Sequence, residues 1–487
     1  MTSYTLFIFR RDLRLKDNIG LNKISKIKNV IPIFIFTPEQ VTNNKFKSDN
    51  AIQFMKESLH ELDLELQKIG SQLHYFYGTN ISVLDDIKKK IKLERIVFNM
   101  DYTPYAIKRD TEIEKWCQKN EIEVLKYEDY LLYPIDTLLK SDGKPYTIFT
   151  PFKNNGMKYK DKIKKVKKKK FTNLVKLNNS VKLNNSVKLN NSVKLNNSVN
   201  LNNSVNLNIN IFKPEEVKNK VNENKLVKGG RNNGLQILKN IKTFNKYGDE
   251  RNTPSIPSTH LSAYIKFGCV SIREVFHKID SKLPNSTLLD QLFWREFYYY
   301  IAFYFPQVLQ GKNFNPKYDN IKWCSSEINF KKWCLGETGY PIVDAGMREL
   351  NQTGYMHNRL RLITSNFLNR MLGLDWRLGE KYYAQMLTDY DPSVNNGNWQ
   401  WIASTGTDPK PYFQRLFNPI IQSQKFDSEC TYILKWIPEL AEVDIKDIHN
   451  WSTNYKKYKD KNIKYFEPIV DYKEARQRSI KMYREVL

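Results

Sequence analysis

Residues 339–408 read GYPIVDAGMRELNQTGYMHNRLRLITSNFLNRMLGLDWRLGEKYYAQMLTDYDPSVNNGNWQWIASTGTD. Apolar residues recur at helical spacing over 340–352, 356–370 and 374–386, and prolines at 341 and 392 punctuate the pattern, so this stretch folds as packed helices. Two features exceed what a helical core needs. Trp376, Trp399 and Trp401 belong to a residue type that carries electrons and stacks on bases. Asn358, Arg361, Asp389, Asp391 and Asn395 fall at buried-looking positions, where an unpaired polar group costs about 1–3 kcal/mol. A large, polar, aromatic, redox-active cofactor would satisfy both sets.

Outward from this stretch, helical patterns continue over 236–247, 261–267, 271–278 and 288–305, with Ser271 and Glu274 at capping-box spacing. Residues 235–475 therefore read as an all-helical domain and 476–487 as a short tail. The first 135 residues differ. β-branched and aromatic runs at 4–9, 30–36, 72–76 and 95–99 alternate with amphipathic patterns at 50–69 and 112–119, which predicts a doubly wound α/β domain with a parallel, Rossmann-like sheet. No GxGxxG follows the first run, so a dinucleotide in this half is not supported. Between the domains, 136–234 reads as a linker with a lysine run at 158–170, then LNNSV units at Leu177, Leu183, Leu189, Leu195 and Leu201. Such units bury little apolar surface, so 158–210 reads as a disordered insertion; a basic arm on phosphates or a short β-solenoid is the other reading.

The formal charge of +26 points to a polyanionic partner, nucleic acid before membrane. Thirteen Lys and one Asp in 158–194 account for +12 of it, leaving +14 on folded sequence. Five cysteines form no CxxC pair, which argues against a disulfide framework or a metal site and for a reducing compartment. MTSYTLFIFRRDLR carries charge too early for a secretory signal, and the apolar stretch 297–311 is too short to span a bilayer. The expectation is a soluble, monomeric intracellular protein, cytoplasmic or nuclear, without metal.

Three further motifs carry chemistry. In PSTHLSAYIKFG (257–268), Ser258, Thr259 and Ser262 offer donors to a phosphate at a helix start, although such residues are by themselves only caps. In LLDQLFWREFYYY (288–300), Gln291, Trp294, Arg295 and Tyr298 share much of one helix face, and an Arg beside a Trp needs a partner. His357 reads as a satisfied core histidine, and Asn395-Asn396-Gly397 as a tight turn after Asp389 and Asp391.

With FIFRRDLRLKDN near the start, these motifs make the chain resemble the photolyase and cryptochrome family of flavoproteins, from residue 4 to about 470 apart from the repeat. The resemblance implies an α/β domain followed by a helical domain that holds FAD. It assigns to the flavin Tyr247, Ser258, Thr259, His260, Leu261, Ser262, Gln291, Arg295, Tyr298, Asn358, Arg361, Asp389, Asp391 and Asn395, with Arg361 paired to Asp389 and Asn395 facing N5. Trp399, Trp376 and Trp323 become an electron-hopping chain to the surface. Gln291, Trp294, Asn358, Arg359, Leu362 and Trp401 meet a lesion flipped out of UV-damaged DNA. The implied reaction is light-driven splitting of cyclobutane pyrimidine dimers by an electron from excited reduced FAD, with the closest likeness to class I-type enzymes.

Two departures qualify the likeness. Gln291 stands where the closest cyclobutane-dimer photolyases carry Glu and (6-4) photolyases carry Gln, yet the two histidines of the (6-4) pattern are Asn358 and Leu362 here, which favours the cyclobutane dimer. DYTPYAIKRD (101–110) has Tyr105-Ala106 where the folate-binding type has Asn-Glu. A folate antenna is therefore not supported, while a deazaflavin, a second flavin or no antenna stay open. The rival readings are a (6-4) photolyase and a cryptochrome photoreceptor without repair. Asn395 and the short tail favour the photolyase, and WQW at 399–401 weighs against a DASH-type cryptochrome.

Overall fold

The structure, a computed structural model, describes residues 2–167, 169–176, 212–407, 413, 416–461 and 463–486. Five strands, β1 (Ser3–Phe9), β2 (Val30–Phe36), β3 (His74–Tyr77), β4 (Lys92–Asn99) and β5 (Glu123–Tyr127), pair in parallel in the order β3-β2-β1-β4-β5. β2, VIPIFIF, is buried along its whole length, as a parallel strand covered on both faces must be. The four expected strands are present. β5 is additional: an edge strand, EVLKY, it alternates lysine and glutamate with apolar residues and so lacks the continuous apolar run of the interior strands. Helices Asp49–Lys68, Asn80–Lys90 and Pro104–Lys119 form the crossovers, the second of them unforeseen.

The segment between the domains is more structured than a linker. Helix Phe149–Lys158 packs on the helical domain, and the lysine-rich stretch beyond it lies along the sheet. Ile163, Phe171 and Leu174 are buried there, and Val30 and Val175 exchange backbone bonds with the chain around Leu174 and Val30. Lys160 and the Lys164 carbonyl bond to helix Ile272–Lys282, while Lys167, Lys169, Asn173 and Val175 bond to the α/β domain, which corrects the expected start of the insertion. The repeat reading falls on 177–211, which lie outside the described residues.

After Gly230 the chain is helical. The capping box at Ser271 forms, with the Glu274 amide donating to Ser271 Oγ at 2.9 Å and the Ser271 amide to Glu274 Oε2 at 3.1 Å. Gly234 sits inside helix Arg231–Lys239 instead of preceding it, because a Cβ there would meet Val270 at 2.9 Å. Asn395-Asn396-Gly397 is no turn but the middle of helix Pro392–Ile402; glycine is required at 397 because an added Cβ would lie 2.0 Å from the Tyr298 ring. The expected tail is the body of helix Tyr472–Arg484, anchored by the fully buried Tyr483. No helix among the described residues is long and apolar enough to cross a membrane.

The two domains are joined by buried charge. Asp129 accepts from Arg14 at 2.6 Å and from Arg273 at 2.8 Å, and Asp17 accepts from Arg273 at 3.0 Å and from Ser271 Oγ at 2.6 Å. All four charged side chains are at most 4 % exposed. Removing one partner from such a cluster strands the others without water. Asp129→Asn is expected to lower the unfolding free energy by about 3–5 kcal/mol, read from the denaturant midpoint at pH 7.

Candidate cofactor and substrate cavity

A cavity of about 510 Å³, within the range of cofactor sites, opens in the helical domain. One wall is the segment leading into helix Leu261–Lys266, with Ser258, Thr259, His260, Leu261 and Ser262, and Tyr247 beside it. Ser262 Oγ donates to Asp389 Oδ2 at 2.7 Å and lies 2.8 Å from the Tyr355 hydroxyl. Asp389 also accepts twice from Arg361 Nη2, at 3.0 and 3.1 Å, so the ion pair expected from the sequence is formed. Burial disfavours the Arg361 charge, but Asp389 together with Tyr355 and Tyr383 outweighs it and the guanidinium is held above its usual range. The Arg361 guanidinium also lies 5.2 Å above the Tyr355 ring, and His260 meets that ring edge-on. Tyr355 thus belongs to the site, although its sequence signal is one aromatic before a helix start.

Helix Thr287–Tyr304 forms the second wall with Gln291, Trp294, Arg295 and Tyr298. Gln291 donates to the Thr287 carbonyl of its own helix at 3.3 Å. Arg295 does find the partner its position demanded, but in the α/β domain: it donates to the Tyr130 carbonyl at 2.8 Å and lies 4.6 Å over the Tyr299 ring.

Helix Asn358–Asn366 brings Asn358, Arg359, Arg361 and Leu362 to the cavity. Asn358 is exposed and not buried as expected, because it is the first residue of the helix and projects at the mouth. Arg359 donates to Asn252 and lies 4.3 Å over the Phe426 ring. His357 caps the helix, its Nδ1 accepting from the Arg359 amide at 3.2 Å. Burial, then Arg361, Arg359 and His260, push its pKa down to about 4, so it is a neutral cap.

The last wall is helix Pro392–Ile402, with Asp391, Asn395, Trp399 and Trp401. Asp391 caps the helix, and its carboxylate is taken by Arg11 of the α/β domain and by the Tyr299 hydroxyl at 2.6 Å. Burial works against that charge, yet Arg11 and then Arg295 hold it below the usual carboxylate range. Its first role is therefore to seat the helix on the other domain. Asn395 donates to the Glu380 carbonyl at 3.1 Å. Trp399 is buried, with ring neighbours Tyr383 at 4.9 Å and Trp333 at 6.3 Å, neither singled out from the sequence. Trp376 is fully buried at the start of helix Trp376–Met386, one turn before Gly379, whose absent Cβ would touch the Trp399 ring at 2.1 Å. Trp323 is half-buried, and the adjoining Cys324 bonds to Gly373 at 2.8 Å, which brings it beside the same helix start. Lys266 also lines the cavity and escaped the sequence reading; burial, then Arg11, push its amine down to about 7.

These walls fit an aromatic ligand with an anionic arm. Trp399 Nε1 and Arg359 Nε are buried without a hydrogen-bond partner among the described residues, and the cavity lining offers hydroxyls, four guanidiniums, an amine and three indoles.

A two-domain protein of this kind, an all-parallel α/β sheet on a helical domain with a cofactor-sized cavity, matches known proteins along its length. The family model for DNA photolyase matches residues 5–169, and that for the FAD binding domain of DNA photolyase matches 288–485, the region that supplies most of the cavity wall. A deoxyribodipyrimidine photo-lyase of Buchnera aphidicola is 35 % identical over 500 residues, covering 99 % of this chain and 96 % of its own. An archaeal photolyase from Sulfolobus tokodaii, solved with two FAD molecules, superposes with a TM-score of 0.82 at 37 % identity, covering 99 % of this chain and 100 % of its own. A Synechocystis cryptochrome superposes at 0.83 with 26 % identity, covering 99 % of each chain. The chain belongs to the DNA photolyase family.

The neutral His357 cap predicts an acid-sensitive site. Its folded pKa, about 4, lies below its ordinary value of 6.5, so between these values the unfolded chain binds more protons and stability falls as pH drops. The loss reaches about 3 kcal/mol at pH 4 and is absent above 6.5. His357→Gln should flatten that part of the profile, seen as a smaller difference in unfolding free energy between pH 7 and 4.5.

Proposed function

We propose that this protein is a deoxyribodipyrimidine photolyase, a lyase that repairs cyclobutane pyrimidine dimers in UV-damaged DNA using light. The observation that carries the reading is that a single cavity is lined by Asn395 and the Arg361–Asp389 pair, by Trp399, and by Trp294 and Trp401. Bound, reduced FAD supplies an electron to the dimer on blue-light excitation and recovers it after the ring splits. The chain's own groups do the rest. Ser258, Thr259, Ser262 and Tyr247 would hold the cofactor's polar arm, and the Arg361–Asp389 pair would set the charge against it. Asn395 would hydrogen-bond the flavin, with its orientation set by the bond to Glu380. Gln291 would donate to a pyrimidine carbonyl, and the two half-buried indoles, Trp294 and Trp401, would stack on the extruded bases. The formal charge of +26 supports a grip on phosphates that weakens steeply with salt.

Asn358 and Leu362, in place of the two histidines of the (6-4) pattern, support the cyclobutane dimer; Gln291 is the one residue that favours the (6-4) product. For an antenna, Tyr105-Ala106 argues against folate, and the two FAD molecules of the Sulfolobus tokodaii photolyase favour a second flavin over a deazaflavin. Free cysteines, four of them buried, support a reducing, intracellular setting, and we take the working form to be a monomer.

The test is direct. Reduced, FAD-loaded protein is mixed with oligonucleotides carrying either lesion, in blue light and in darkness. Light-dependent loss of the cyclobutane dimer alone is expected; loss of neither lesion sinks the repair reading, and loss of the (6-4) product alone reassigns the substrate. Trp399→Phe is expected to slow photoreduction of the flavin at least tenfold by absorbance while chemically reduced protein still repairs. If repair by that reduced form collapses as well, Trp399 does more than relay electrons.

A further inference from the structure

Phe149 is the first residue of helix Phe149–Lys158, in the stretch that reads as linker, and its ring lies flat on the indole of Trp294. The centroids are 3.6 Å apart and the planes 6° from parallel, the closest and flattest ring pair among the described residues. Aromatic pairs in a core favour offset or edge-on contacts over a full-face sandwich, so ordinary packing would not select this geometry. The helix that carries Phe149 is clamped along the same face. Phe152 is fully buried against Phe297 and Tyr300, and Lys153 pairs with Asp290 at 3.2 Å. Gly156 lets the backbone approach Phe293, whose ring an added Cβ would meet at 2.4 Å. Residues 149, 152, 153 and 156 share one helical face, so the helix holds the backbone of Phe149 against helix Thr287–Tyr304.

Trp294 lines the cavity and Phe149 is not among the lining residues, while Phe149 takes up one face of the indole. Phe297 meets the indole edge-on at 5.9 Å, and Tyr298 flanks it at 5.7 Å. Three rings thus fix the indole plane before any ligand arrives, and the indole still borders the cavity.

We propose that Phe149 is a positioning residue for lesion recognition, holding Trp294 as a preset stacking platform for an extruded, damaged pyrimidine. The proposal rests on the reading of this cavity as the place where the lesion enters. A base that stacks on a fixed ring orders one partner instead of two, so the gain appears in affinity for damaged over undamaged DNA.

The experiment uses full-length, FAD-loaded protein and one duplex with or without a single cyclobutane dimer. Dissociation constants are measured in the dark for wild type, F149A, F149Y, W294A and the F149A/W294A double variant, with flavin absorbance and thermal unfolding as checks of folding. F149A is expected to lose about two- to tenfold of the discrimination between damaged and undamaged duplex, the scale of one aromatic pair, and F149Y to keep it. In the W294A background F149A should add nothing, which separates positioning of the indole from a general structural role. Should F149A unfold, F149L replaces it in the cycle. Wild-type discrimination in F149A alongside a loss in W294A would overturn the positioning role alone. Full discrimination in W294A would remove the lesion reading of the cavity and this proposal with it.

Discussion

Arg14, Arg273, Asp17 and Asp129, buried together where the sheet meets the helices, are the constraint on which the rest depends. Two residues come from the segment after β1, one from the segment after β5 and one from helix Ile272–Lys282, so no element can shift without exposing or orphaning a charge. In a low-dielectric interior that is far more demanding than apolar contact, which tolerates sliding. The junction continues through Arg11, which reaches Asp101 at 2.9 Å in its own domain and Asp391 in the other. The carboxyl ends of parallel strands, where doubly wound sheets often place a ligand, are used here to seat the helix that carries Asn395 and Trp399.

Around the cavity the same logic works on a smaller scale. Arg361, Asp389, Ser262 and Tyr355 already satisfy one another, so the groups that would face a cofactor are oriented by protein partners. Among the described residues that line the cavity, Trp399 Nε1 and Arg359 Nε are the buried side-chain atoms left without a partner. Such preorganisation is what lets a site stabilise a particular charge distribution without rearranging on each turnover.

The α/β half was readable because buried parallel strands write themselves as continuous apolar runs; β5 escaped because EVLKY, with Glu123 and Lys126 exposed, carries no such run. The helical half was readable from spacing, but Asn395-Asn396-Gly397 misled, since glycine beside asparagine is turn chemistry unless a tyrosine from another helix needs the space. For the site, residue type marked the buried polar groups and the indoles, and the Arg361–Asp389 pairing came with the family resemblance. Asp391 and Arg295 were assigned to the cavity, and both do line it, yet their charges are spent across the domain junction, a partnership that spans 380 residues between Asp391 and Arg11 and leaves no local trace. Phe149 was invisible for the same reason, because nothing near it in sequence announces Trp294.

The described chain leaves the α/β domain at Lys176, whose amine bonds to the Ile69 carbonyl at 2.8 Å ahead of β3, and resumes at Phe212, stacked on Tyr77 at the far end of that four-residue strand. Both moorings are on the β3 side of the sheet, opposite β5. Neither mooring involves a residue of the repeat, so the described chain on both sides of it is tied to the same sheet edge by groups outside it.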